Sequence, residues 1–248
     1  MISCAEREVS EADAAVCLSM IRRVSAGEPV QYVCGKAQFA GREFVISRDV
    51  LIPRPDTEIL LDEALKRAAA FAESRVGNSC MPEVLDMCTG SGILAVSIKA
   101  ELPCASVSAS DISSEALKIA ALNAGKHGTD IEFYLSDLFS DIPVQKRFDI
   151  IVSNPLYVSD NEYDLLDASV KDHEPEIALR GGNDGADFYR RISSDSRERL
   201  KAGGWLCFEI GDTQAETVLN IMEKDGFKDL TVTRDIAGRD RVVYGRYM

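Results

Sequence analysis

From residue 83 onward the apolar residues gather in short runs, at 83–88, 106–112, 131–137, 148–154 and 205–210, and each run reads as a strand. The segments between them, such as 92–101 and 113–127, carry their apolar residues at helical spacing instead. Strands that alternate with helices form parallel βαβ units, and the strands stay apolar because helices cover both sheet faces. The last two β-branched segments, 227–236 and 241–247, are joined only by Ala237-Gly238-Arg239-Asp240, which leaves no room for a crossover helix. The pattern predicts an α/β fold: a doubly wound, seven-stranded, mostly parallel sheet closed by a C-terminal antiparallel hairpin.

The front of the chain has a different texture. Ala14, Ala15, Leu18, Ile21 and Arg22 fall at near-helical spacing in a segment that stops at Gly27, which predicts one amphipathic helix over 11–26. Residues 36–47 alternate around Gly41 and predict a short β-hairpin. Asp56 or Thr57 is placed to cap a helix running to about residue 75, with Ile59, Leu60, Leu61, Ala64, Leu65 and Ala68 on its apolar side. A break is expected at Gly77-Asn78-Ser79, and the loosest stretch, 153–187, reads as a long functional loop.

Composition narrows the classes. With 248 residues, 46% of them hydrophobic and 28% charged, the chain holds one sizeable domain plus a small appendage. The formal charge of −13 is the wrong sign for bulk attraction to polyphosphate. Seven cysteines without CxxC spacing argue against a disulfide framework and a zinc knuckle, and point to a reducing cytoplasm. Residues 1–20 lack the basic start and apolar stretch of a signal peptide, and no segment has the length of a membrane span.

Candidate chemistry sits at the strand ends. Asp86-Met87-Cys88-Thr89-Gly90-Ser91-Gly92 marks a strand-to-helix turn whose glycines let backbone pass close to a ligand, although such a run also serves as a plain tight connection. Asp111, about twenty residues further on, is placed to bind both hydroxyls of a ribose or to cap the next helix. Asp137 can accept from an exocyclic amine while Leu138 packs on a base. Three consecutive strand ends with compatible polar groups describe a nucleoside cofactor across the carboxyl edge of the sheet. The fourth strand ends in Asn154-Pro155-Leu156-Tyr157, where a carboxamide and a backbone carbonyl can accept both protons of a planar NH₂ group and Tyr157 can pack on its flat face; an Asn-Pro turn with a core tyrosine is the plain alternative. Glu209 ends the fifth strand, and a role toward the cofactor or as a buried helix cap stays open. Arg190, Arg191, Arg197, Arg199 and Lys201 read as a solvated mixed-charge face, and His127 and His173 as structural.

Asn154-Pro155-Leu156-Tyr157 resembles the Asn-Pro-Pro-Tyr motif of amino-group methyltransferases that use S-adenosylmethionine. Four further segments narrow the resemblance. They are Gly27-Glu28-Pro29-Val30-Gln31-Tyr32, Ile52-Pro53-Arg54-Pro55-Asp56-Thr57-Glu58, Gly181-Gly182-Asn183-Asp184-Gly185 with Phe188-Tyr189, and Asp235-Ile236-Ala237-Gly238-Arg239-Asp240-Arg241. Together they resemble the peptide-chain release factor glutamine methyltransferases, also called the HemK family, over about residues 20–248.

The resemblance implies a Rossmann-like class I methyltransferase fold and methyl transfer to the side-chain amide nitrogen of the glutamine in the Gly-Gly-Gln loop of class 1 release factors, which modulates translation termination. It implies S-adenosyl-L-methionine as cofactor, with the methionine end at Cys88, Thr89, Gly90, Ser91 and Gly92 beside Asp86, the ribose at Asp111, the adenine at Asp137 and Leu138, and Asn154 also against the cofactor. The glutamine amide falls to Asn154, Pro155, Leu156 and Tyr157, and no metal is required. The implied division is a remnant of a helical substrate-recognition domain at 1–35, a hairpin and connecting helix at 36–75, and the methyltransferase domain at 76–248. No membrane or direct DNA contact is expected. The chain departs from the family at Cys88, where glycine is usual, at Leu156, where a second proline stands, and in its short N-terminal section. Two other functions fit the residues: methylation of an exocyclic amine on a nucleic-acid base, and a module that binds S-adenosylmethionine or a release factor without turnover.

Overall fold

The computed structural model describes residues 9–74 and 81–248; the break expected at 77–79 and the first eight residues of the 1–20 segment lie outside the described residues. In chain order the elements are α1 (Glu11–Ser25), α2 (Val30–Cys34), β1 (Lys36–Phe39), β2 (Arg42–Val45), α3 (Thr57–Ser74), β3 (Glu83–Met87), α4 (Ile93–Glu101), β4 (Ser106–Asp111), α5 (Ser114–His127), β5 (Glu132–Leu135), β6 (Phe148–Ser153), α6 (Asp160–Tyr163), α7 (Ala168–Lys171), α8 (Asp187–Ser196), β7 (Leu200–Glu209), α9 (Ala215–Lys224), β8 (Lys228–Arg234) and β9 (Asp240–Arg246).

Seven strands form one sheet in the order β5-β4-β3-β6-β7-β9-β8. The first five are mutually parallel, and β9 lies antiparallel to both β7 and β8. Because the chain leaves β3 toward β4 and later returns to place β6 on the opposite side of β3, the connections that follow these two paired strands run in opposite directions and leave a crevice at the carboxyl edge. Alternation within the strands divides the core by face. Val84, Val107, Ala109, Ile150 and Val152 pack with α3, α4 and α5, while Leu85, Met87, Ile151, Leu206 and Phe208 pack with α8 and α9.

The hairpin of β1 and β2 is fastened to α5 by one side chain. Asn123, fully buried, accepts from Val45 N–H at 2.7 Å and donates to the carbonyls of Val45 at 2.9 Å and Ser91 at 2.8 Å. One amide thus ties the front section to the turn after β3. Helix α1 is capped by Ser10 as its sequence allows but buries none of its residues, and its apolar positions Leu18 and Ile21 stay exposed. The fifth strand of the parallel set starts at Leu200, five residues before the predicted start. Its first half is held by backbone pairing, with Gly203 N–H to the Tyr247 carbonyl at 2.7 Å, and carries no apolar alternation to read.

Candidate active site

The carboxyl edge of β3 is built around a buried acid. Asp86 accepts from the Thr89 hydroxyl and from Ala95 N–H at 3.1 Å, so its side chain bridges the strand end to the first turn of α4. Burial drives its pKa up to about 7. Between these anchors the chain passes through Cys88, Gly90 and Gly92, all at positive φ. A side chain at Gly92 would meet Ala120 of α5 at 3.0 Å, so that glycine permits the helices to close up, whereas nothing lies within 4 Å of the space beside Gly90. Cys88 occupies the left-handed region at φ 61°, where glycine is the relaxed choice, and burial pushes its thiol pKa upward.

Asp111 at the end of β4 receives Gly90 N–H at 2.9 Å and Ser113 N–H at 2.9 Å, which locks the turn after β3 to the next strand. Burial raises its pKa despite these donors. It does not cap α5; the Ser113 side chain does that by accepting from Ala116 N–H. After β5, Leu138 is buried at φ 52°, beside Asp137. Asp137 pairs with Arg191 of α8 at 2.8 Å, and Arg191 also lies 5.8 Å from the Phe188 ring centroid. Arg191 is exposed, as the solvated-face reading expects, and one turn into α8 its guanidinium also lines the cleft beside Asp137.

At the end of β6, Ser153 donates to the Met87 carbonyl at 2.8 Å, a side-chain bond added to the last register pair of β3 and β6. Asn154 follows, with Nδ2 3.4 Å from the Thr57 hydroxyl. The expected cap at Asp56 or Thr57 takes another form. Thr57 is buried and turned to Asn154, and α3 begins instead on the backbone bonds Thr57 N–H to Arg54 and Glu58 N–H to Pro55. Tyr157 packs partly against the core beneath α8, and burial lifts its pKa up to about 12. Its carbonyl accepts from Gln214 Nε2 at 2.9 Å. The segment 181–185 lies flush beneath this turn: a Cβ at Gly181 would stand 2.6 Å from the Leu156 carbonyl, and one at Gly185 2.3 Å from the Tyr157 carbonyl.

One cleft therefore gathers Asp86, Cys88, Thr89, Gly90, Ser91, Asp111, Asp137, Leu138, Asn154 and Leu156, and the neighbouring Gly92, Pro155 and Tyr157 are not among its lining residues. Sequence reasoning missed Arg54, Thr57, Phe188 and Arg191 as lining residues. Arg54 pairs with buried Glu174 at 2.5 Å, which ties the 51–54 segment to the far side of the loop after β6. Buried Glu209, left open from sequence, lies behind Asn154 with its pKa raised to about 7 by burial. The signal for Glu209 was its place, an acid at a strand end like Asp111. Among the described residues no group of histidines, cysteines and acids is placed to hold a metal ion, and no helix is long and apolar enough to cross a membrane.

Comparison with known proteins decides the kinship. A release factor glutamine methyltransferase of Geobacter sulfurreducens is 40% identical over 97% of this chain and 81% of its own length. The chain belongs to the release factor glutamine methyltransferase family. Another relative with this name, from Bacillus subtilis, is 43% identical over 88% of the chain and 75% of its own length. The family model for the methyltransferase small domain matches residues 62–173, which contain the turn after β3 and the end of β6. The fold is that of class I methyltransferases. A solved methyltransferase from Pyrococcus furiosus superposes with a TM-score of 0.61 over 96% of this chain and 98% of its own, at 16% identity.

Proposed function

We propose that the chain transfers a methyl group from S-adenosyl-L-methionine to the side-chain amide nitrogen of the glutamine in the Gly-Gly-Gln loop of class 1 peptide-chain release factors. The observation that carries this reading is the shared cleft. The Asn154 carboxamide, an amide-recognising group, opens onto the same space as the glycine turn and Asp111. The open space beside Gly90 and the convergent polar groups of Asp111 and Asp137 suit a nucleoside with an amino-acid tail.

In this reading Cys88 to Ser91 surround the methionine end, Gly92 sets the helix spacing behind them, and Asp86 braces the turn from below. Asp111 takes the ribose hydroxyls, and Asp137 with Leu138 takes the adenine. S-Adenosylmethionine supplies an electrophilic methyl group on a sulfonium centre. The residues of the chain have a different task, because an amide nitrogen is a poor nucleophile and its lone pair must be aimed. Asn154 Oδ1 and the Pro155 carbonyl accept the two N–H groups, fixing the amide plane and favouring positive charge as it develops on nitrogen. Leu156 closes the cleft wall, and Tyr157 anchors the turn through Gln214.

Incubation with isotope-labelled S-adenosylmethionine and a purified release factor, followed by peptide mass spectrometry, tests the proposal. Label on the Gly-Gly-Gln glutamine is expected. Label on a nucleic-acid base instead, or cofactor binding without transfer, overturns it.

A further inference from the structure

We propose that Glu209 is a positioning residue that fixes which end of the Asn154 carboxamide faces the substrate; this rests on the glutamine-methylation reading. Strands β6 and β7 are parallel neighbours in register at Ser153 and Phe208, so Asn154 and Glu209 stand side by side one residue further on. Glu209 is 2% exposed, and its Oε2 has no hydrogen-bond partner among the described residues. The Thr57 hydroxyl and the Asn154 carboxamide lie against this carboxylate, and Asn154 Nδ2 leans toward Thr57.

An asparagine side chain has one accepting end and one donating end of nearly equal shape. A substrate NH₂ group needs the accepting end. An ionised carboxylate behind the amide can only accept, so it draws Nδ2 inward and leaves Oδ1 toward the cleft. The reversed amide would set Oδ1 against that carboxylate and turn N–H toward N–H. Around Glu209 stand Asp56 before α3, Arg241 on β9, Tyr157 after β6 and Tyr189 on α8. Asp56 disfavours its charge and Arg241 favours it, but burial is the largest influence and sets the pKa at about 7. Once protonated, the carboxyl becomes a donor and pulls Oδ1 inward, so the productive orientation is expected to fade as pH falls through this range.

The first test needs no turnover. In cofactor-free protein carrying isotope-labelled asparagine, the Asn154 side-chain NH₂ resonance, assigned by its loss in Asn154→Ala, should shift with pH about a midpoint near 7, and the shift should vanish in Glu209→Gln. A resonance insensitive to pH overturns the proposal. In the release-factor assay, Glu209→Gln should lower kcat by about tenfold or more, flatten the acid limb of the pH profile and leave the KM for S-adenosylmethionine unchanged. An unchanged kcat and pH profile overturns it as well. If the wild-type chain transfers no methyl group to glutamine, the functional reading fails, while the resonance still decides whether Glu209 orients Asn154.

Discussion

At the scale of single residues, Cys88 shows how one departure from a family pattern acts through the backbone. A side chain in the left-handed region costs about 1 kcal/mol, and the Cβ of Cys88 also lies at the methionine end of the proposed cofactor site. In Cys88→Gly the relieved strain is largely offset by the greater freedom of glycine in the unfolded chain, about 1 kcal/mol. The melting temperature should therefore move little while calorimetry shows tighter cofactor binding; weaker binding would contradict the assignment. Asn154→Ala removes the acceptor for the amide and should reduce kcat by about 100-fold with cofactor affinity retained. The sequence made Asp86, the glycine turn, Asp111, Asp137 and Asn154 legible because each lies at or beside the carboxyl end of an apolar run. Thr57 and Arg191 were hidden because helical spacing and mixed charge describe them equally well as a cap and a solvated face. Only the tertiary approach of Asn154 and Asp137 gives them another partner.

Among the elements, the turn after β6 owes its shape to neighbours distant in sequence. The segment 181–185 presses on the Leu156 and Tyr157 carbonyls, and Gln214 before α9 holds Tyr157 from the other side. Gly185 stands at φ 71° with no room for a Cβ, so Gly185→Ala must push the turn out of place. A fall in kcat with little change in cofactor Kd is the expected result, and a loss of both would indicate general damage. Leu156→Pro works in the opposite direction by restricting Pro155 to extended ψ values, and it should raise kcat/KM. The strands and helices themselves were readable from their periods. The start of β7 was not, since its pairing with Phe148 and its bonds to Tyr247 belong to the backbone alone.

For the whole molecule, the buried acids govern how stability varies with pH. Asp86 and Glu209 have pKa values raised to about 7, so their contribution is full below the ordinary carboxylate range and is lost as pH climbs through about 7. Asp235 is held down to about 2, chiefly by Arg239 N–H, and its contribution is lost as pH falls through that range. The net charge of −13 adds repulsion that grows on the alkaline side. Scanning calorimetry across about pH 3 to 9 should place the highest melting temperature near pH 5, and a flat profile up to pH 8 would contradict these burial effects.

The position of β9 carries one more consequence. This last strand sits between β7 and β8, and its Arg241 reaches both Asp56 and Asp235, at 3.2 and 3.1 Å. During synthesis β8 emerges earlier but has no seat on the sheet until β9 slides in beside β7. A nascent chain halted before residue 240 therefore carries every residue that lines the cleft yet lacks the strand that pairs with β7 and brings Arg241 to Asp56.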